Sequence, residues 1–436
     1  MTTDCEVPCF GELQAANLEP VLKACQHGAV SIATCRVESD ALAPLRAEAY
    51  PDVRLSLVGV SGTVDLQGAQ LHDVVVVGSR LELLDLHDAT IDRVRIAPST
   101  SSMPDAYAAD AVAPIPVSTT SVEARACHAR TFALLATQVG DVDLRHARID
   151  DTLDLTWTQA HTLSLRFANV SRLEAARLVT DTGLDLFGAQ MSQASLSRAT
   201  LQSLDAETAS VERVFSLSNT VIREKLDGYW FSAGAVVFNG ARVGSMDLSY
   251  SHFGLVDIDS ALAFESGPIV ATGLHVDAIS GDVPALTSRI DHKADTDGAF
   301  HSIEAALRTG GRYSEANTVA FQGSWITAGL AGKLPGELAL GVVGFFVLCF
   351  IVAVWCCRPV TRGPQRTWKL LLCGLDIVLP SFVDIGALSA WTDYDDGKKD
   401  PDVKIEGARR TIAFIMRILG TMAFTYLLLY VTTLRG

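Results

Sequence analysis

Residues 64–96 read VDLQG AQLHD VVVVG SRLEL LDLHD ATIDR VRI when divided into fives, and every third place holds a large aliphatic side chain: Leu66, Leu71, Val76, Leu81, Leu86, Ile91 and Ile96. The first places are Val64, Ala69, Val74, Ser79, Leu84, Ala89 and Val94, mostly small or apolar. An α-helix repeats a face every 3.6 residues and a strand every 2, so neither returns one side inward at every fifth residue. A chain that turns a corner every five residues does, and the pattern therefore predicts stacked coils around one core.

The same spacing returns in VVFNG ARVGS MDLSY SHFGL VDIDS, with Phe238, Val243, Leu248, Phe253 and Ile258 in the third place. Between the two stretches, Leu186, Met191, Leu196, Leu201, Ala206 and Val211 form another run. Single-residue slips near Asp151 and Gly183 break the register, as a bulge or loop within a coil would. If four fives close one coil, residues 53–286 supply about ten coils, a rod roughly 50 Å long at the inter-strand spacing. Leu66, Leu71, Val76, Leu86, Val243, Leu248 and Phe253 are then expected to share that core.

This pattern resembles the pentapeptide-repeat family, whose A(D/N)LXX motif winds into a right-handed quadrilateral β-helix with the first and third places inward. The resemblance implies a mainly β fold with helical caps, because a rod has two open ends that expose strand edges and core. One cap is expected within residues 1–50, where FGELQAANLEPVLKACQHG places Leu13, Leu18, Val21, Leu22 and Cys25 at near-helical spacing and stops at Gly28 before the strand-like AVSIATCRV. The coils are assigned to 51–290, with Pro- and Ser-rich residues 97–121 as a surface loop. The other cap is FHSIEAALRTGGRYSEANTVAFQGSW, an αα-hairpin around Gly310 and Gly311 over residues 297–328 that resembles a single tetratricopeptide unit.

Residues 334–436 have a different character. LALGVVGFFVLCFIVAVWCC, 338–357, is uncharged and long enough to cross a bilayer as a helix, and TIAFIMRILGTMAFTYLLLYVTTL, 411–434, carries only Arg417. Between them LLLCGLDIVLPSFVDIGALSAW, 370–391, contains Asp376, Pro380 and Asp384, so an interfacial or broken segment is expected there rather than a third clean span. Asp376, Asp384 and Arg417 are the polar residues that a function inside the membrane would use. Their bland alternatives are capping, snorkelling and contact with head groups.

The order of helix, degenerate coils, helical hairpin LRTGGRYSEANTVAFQGSW, span, LDIVLPSFVDIGALSAW and final span resembles a bacterial family of pentapeptide-repeat membrane proteins, some of which carry the label membrane-associated oxidoreductase. That label brings no catalytic motif to match here. No GxGxxG follows a strand, and neither GxxxxGK[ST], HExxH nor paired CxxC occurs, so no catalytic, cofactor-binding or metal site is assigned and an enzyme is not the expectation.

Charge bounds the partners. Of the net −15, residues 1–330 carry 23 basic and 41 acidic side chains (−18) and the remainder 12 and 9 (+3), which disfavours nucleic acid and leaves room for a basic protein surface. The expected partners are the lipid bilayer, a protein along the side face of the rod, and a second copy through the apolar helices. Cys5, Cys9, Cys25 and Cys35 are read as small hydrophobes under the cap, with zinc thiolates as the alternative. His72, His87 and His146 fall at outward places and are expected to be solvated. The start MTTDCEVPCFGELQ lacks the pattern of a cleaved signal, whereas nine basic residues between Arg358 and Arg410 would hold that loop in the cytosol and the rod outside. A cytoplasmic rod on a multi-pass inner-membrane anchor, with reduced thiols, is the expectation.

Two functions fit these features. One is a membrane-anchored scaffold or interaction module without catalytic activity; the other is an oligomeric membrane sensor or channel-like effector that uses Asp376, Asp384 and Arg417.

Overall fold

The computed structural model describes residues 4–9, 11–98, 117–259, 262–264, 267–290, 297–323 and 351. The chain divides into two units, Met1–Ser324 and Trp325–Gly436. The spans expected at 338–357 and 411–434, the segment 370–391, and Asp376, Asp384 and Arg417 lie outside the described residues, Ile351 excepted. Among the described residues no helix is long and apolar enough to cross a membrane.

The first unit is a right-handed parallel β-solenoid of about 12 turns. The turns build two 13-stranded parallel sheets; in the second, two turns contribute a strand split in two, Thr200–Leu201 with Leu204–Asp205 and Ala263–Phe264 with Ile269–Val270. Along the chain, through strands and corners alike, the inward places alternate at intervals of three and two. From Gln159 onward the buried residues are Ala160, Leu163, Leu165, Ala168, Val170, Leu173, Ala175 and Leu178. That rhythm is what a five-residue period produces when its first and third places both point inward. Leu66, Leu71, Val76, Leu86, Val243, Leu248 and Phe253 are all buried, at 3% exposure or less. Phe215, Phe231 and Phe253 continue the inner stack with edge-on ring contacts at 5.1 and 5.7 Å.

The register slips have a structural counterpart. Ala129 and Thr131 pair with Ile149 and Thr152, so one extra residue bulges at Asp150–Asp151. Ala160 and Thr162 pair with Thr180 and Gly183, which places a second extra residue just before Gly183. Both bulges leave the inward set on the core side.

The coils extend beyond the boundaries read from the sequence. Strand Asp4–Glu6 pairs with Ala29–Ala33, which pairs with Tyr50–Val58, so the ladder begins well before residue 51. Helix Ala15–Ala24, with Leu18 and Leu22 buried, is an excursion between the first strands. At the other interruption, residues 99–116 lie outside the described residues, and the end of the expected loop, 117–121, belongs to strand Val117–Glu123, which pairs with Arg80–Asp85 and Thr137–Asp143. The far end is covered by helices Asp297–Thr309 and Tyr313–Gly323. The Ser302 hydroxyl accepts from Val276 N–H at 2.7 Å and ties the first of them to the last long strand, His275–Gly281.

Candidate functional site

One corner of the solenoid gathers more charge and exposed ring than the sequence suggested. Strands of the second sheet end, coil after coil, on a carboxylate: Asp65 pairs with Asp85, Asp85 with Glu123 and Glu123 with Asp143. After Ser164 the column resumes as Asp185, Asp205, Asp227 and Asp247. Each aspartate has a local task. Its Oδ1 accepts the backbone N–H two residues on and so fixes the corner, as for Asp143 with Arg145 at 3.1 Å, Asp205 with Glu207 at 3.0 Å and Asp247 with Ser249 at 3.1 Å.

Stacking like charges at one strand spacing costs about 1–3.5 kcal/mol per neighbouring pair, for effective dielectrics between water and a protein surface. Cations offset this unevenly. Arg46 reaches Asp65 at 2.6 Å, while Arg125 and Arg145 both hold Asp143, at 2.5 and 2.7 Å. Arg166 lies 3.7 Å from Asp185, and Lys225 serves both Asp227, at 2.6 Å, and Asp247, at 3.6 Å. Asp205 forms no ion pair among the described residues.

The ionisation follows this pattern. Burial acts most strongly on Asp143 and pushes its carboxyl up, but the hydrogen bonds from Arg145 and Arg125 together take it below the ordinary range. Burial also pushes the Asp205 carboxyl up; the Glu207 amide opposes it, and the charges of Asp185 and Asp227 reinforce it.

The corner that follows these strands carries His146, Phe167, Phe187, Tyr229, Trp230 and Tyr250. His146 stacks on Phe167 and Phe167 meets Phe187 edge-on, both at 5.3 Å. Further along, Tyr250 contacts Tyr229 at 5.6 Å and Trp230 at 5.7 Å. Two glycines make room for rings from the preceding coil. A Cβ at Gly188 would stand 2.6 Å from the Phe167 ring, and one at Gly273 would stand 2.8 Å from the Tyr250 ring. The rings remain open to solvent, with Phe167 49% exposed, Trp230 58% and Tyr250 49%.

Carboxylates beside exposed π-faces form a site for organic cations. The corner already holds one of its own, because the Arg166 guanidinium lies 4.5 Å from the Phe187 ring centroid while facing Asp185. Around Tyr229, Trp230 and Tyr250, Asp227 and Asp247 share Lys225 as their ion-pair partner among the described residues, and Asp205 has none there.

Elsewhere, polar groups satisfy one another. The first sheet has a shallow depression of about 310 Å³ lined in part by Arg148, Asp150, Asn169 and Glu212, where Arg148 donates to Asp150 at 2.8 Å and Ser192 to Glu212 at 2.7 Å. His72 and His87, expected to be solvated, are half-buried against carboxylates, His72 2.8 Å from Asp73 and His87 3.3 Å from Asp88. His146 is exposed and stacked as described. The four N-terminal cysteines separate into two pairs. Cys5 is joined to Cys25 as a disulfide, while the Cys35 thiol, pushed up to about 12 by burial first, bonds Cys9. The expectation that all these thiols are reduced is therefore not met at Cys5 and Cys25.

Comparison with family models, curated proteins and solved structures finds no match.

Proposed function

We propose that this protein is a membrane-anchored scaffold whose rod is a quadrilateral β-helix of the pentapeptide-repeat type, and that it binds a basic segment of a partner protein along the corner from Asp205 to Tyr250. The observation that carries the reading is the Arg166 guanidinium seated over Phe187 beside Asp185. A few coils further on, the same combination of carboxylate and ring recurs with more ring surface and Lys225 as its only ion-pair cation among the described residues. Charge complementarity sets the class of partner. An acidic column repels anions and steers cations, and rings favour guanidinium over hydrated ammonium.

The anchor rests on the sequence: the uncharged run 338–357 and the apolar run 411–434. They are also where a second copy would meet. Arg417 with Asp376 and Asp384, unusual within apolar segments, favours the oligomeric effector as the second reading. A cytoplasmic rod is the location carried forward from the sequence, and the Cys5–Cys25 disulfide is the observation that counts against it.

The test uses the full-length protein in detergent with an oligo-arginine peptide. Saturable binding is expected, weakened by salt and by Trp230→Ala with Tyr250→Ala, with an oligo-glutamate peptide not binding. Equal binding of both peptides, or binding indifferent to those substitutions, would sink the proposal.

A further inference from the structure

The geometry points to a divalent transition-metal site, of the kind zinc takes, formed by His252, His275 and Asp277 on the first sheet. His252 and His275 are directly paired across adjacent parallel strands, His252–Ile258 and His275–Gly281, and Asp277 stands two residues on, on the same side as His275. Their ligand atoms all lie within 4.8 Å of one another. His252 Nε2 is 3.3 Å from one oxygen of Asp277 and His275 Nε2 is 3.1 Å from the other. For metal–ligand bonds near 2.1 Å, the edge of a tetrahedron is about 3.4 Å, so these separations suit three donors around one ion with a position left for water. Simple His-to-Asp hydrogen bonding would account for one imidazole on each oxygen, but it gives no reason for two rings to be held side by side, with centroids 4.9 Å apart.

A second cluster shows what a closed site looks like. His72, Asp73 and Asp92 also bring their ligand atoms together. There, however, Arg93 holds Asp73 through two hydrogen bonds of 2.8 and 2.9 Å, Arg54 approaches it at 3.4 Å and Arg130 holds Asp92 at 3.2 Å. Guanidinium groups already neutralise those carboxylates and would repel an added cation. Among the described residues no lysine or arginine pairs with Asp277, and all three side chains at the first cluster are exposed. Level with Asp277 stand Gly254 on the His252 strand and Gly234 on the neighbouring strand Ser232–Val237, so no side chain from those places blocks an approaching ion. The ligands sit on hydrogen-bonded backbone rather than on a loop, which limits the ordering that binding must impose. An ion there would pin the last long strand to the coil before it, and that strand is tied through Ser302 to the capping helix.

The test is zinc titration of the full-length protein in detergent after chelator treatment, with cobalt absorption as a reporter of low coordination number. One tight equivalent is expected. His252→Ala with His275→Ala should weaken it roughly 100-fold or more, since loss of second-shell partners alone costs 10- to 100-fold. Asp277→Asn should weaken it as well, whereas His72→Ala should leave it unchanged. Because the three side chains are exposed, far-UV circular dichroism should show the variants folded. Unchanged affinity and stoichiometry in the double variant, or no saturable binding up to about 1 mM zinc, a range well above structural zinc sites, would overturn the assignment.

Discussion

Asp143 and Asp205 occupy the same column of the solenoid, end equivalent strands and accept the same kind of corner amide, yet their surroundings push them in opposite directions. Two arginines converge on Asp143 and hold its carboxyl low. Asp205 is half-buried between Asp185 and Asp227, and burial with those charges holds its carboxyl high. The backbone role alone therefore does not determine the charge state; the countercharges do. Where the chain supplies arginine the column is structural, and where it supplies aromatic rings instead it is available to a cation from outside.

The largest effect should come from beneath the column, where the two positions do not differ. Val142 and Leu204, the inward neighbours of Asp143 and Asp205, are fully buried, and Leu204→Asp would place an unpaired charge in the apolar stack. Loss of the cooperative thermal transition is expected, a cost of several kcal/mol. A variant that melts like the parent would contradict the inward assignment.

Removing countercharge separates the two sites. Arg125→Ala with Arg145→Ala leaves Asp143 part-buried without its partners and should lower stability by about 1–3 kcal/mol at neutral pH, read by denaturant melts. The sign of the pH dependence follows from the low folded pKa: the contribution of Asp143 is present above the unfolded carboxylate range and is lost as pH falls through the folded value. The double variant should therefore differ less from the parent in acid.

At Asp205 the sign reverses. Its raised folded pKa makes the native state favour the proton, so its contribution is full below the unfolded pKa and is lost as pH rises through the folded value. Asp205→Asn keeps the acceptor for Glu207 and should raise stability by up to ~1 kcal/mol at neutral pH, a gain that fades toward pH 4. A loss of stability at neutral pH would break the comparison. The smallest stability effect belongs to Trp230→Ala, within about 0.5 kcal/mol at so exposed a place, while oligo-arginine affinity falls roughly three- to tenfold.

Much of the solenoid was legible because a period of five forces the inward set, and the slips at Asp151 and Gly183 fall where extra residues bulge. The coils before residue 51 were not, since a helix interrupts them and their strands are too short to repeat. The corner site was hidden for a different reason. Aspartate in the repeat reads as a turn former, and the successive partners of His128 are Arg148, Asn169, Gln190, Ser210, Ser232, His252 and His275, at intervals that vary from 20 to 23 residues. Without the register, nothing in the sequence says that Phe187 faces Phe167 or that His252 meets His275. Asp376, Asp384 and Arg417 had the clearer sequence signal, charge within an apolar run, and they lie outside the described residues.

Hydrogen–deuterium exchange with and without oligo-arginine tests the central claim most directly, because it reads both parts of the column in one sample. Protection is expected at the amides of Asp227–Phe231 and Asp247–His252, with those of Asp143–Ala147 unchanged. Protection centred on Asp143, or none along the corner at saturating peptide, would contradict the account.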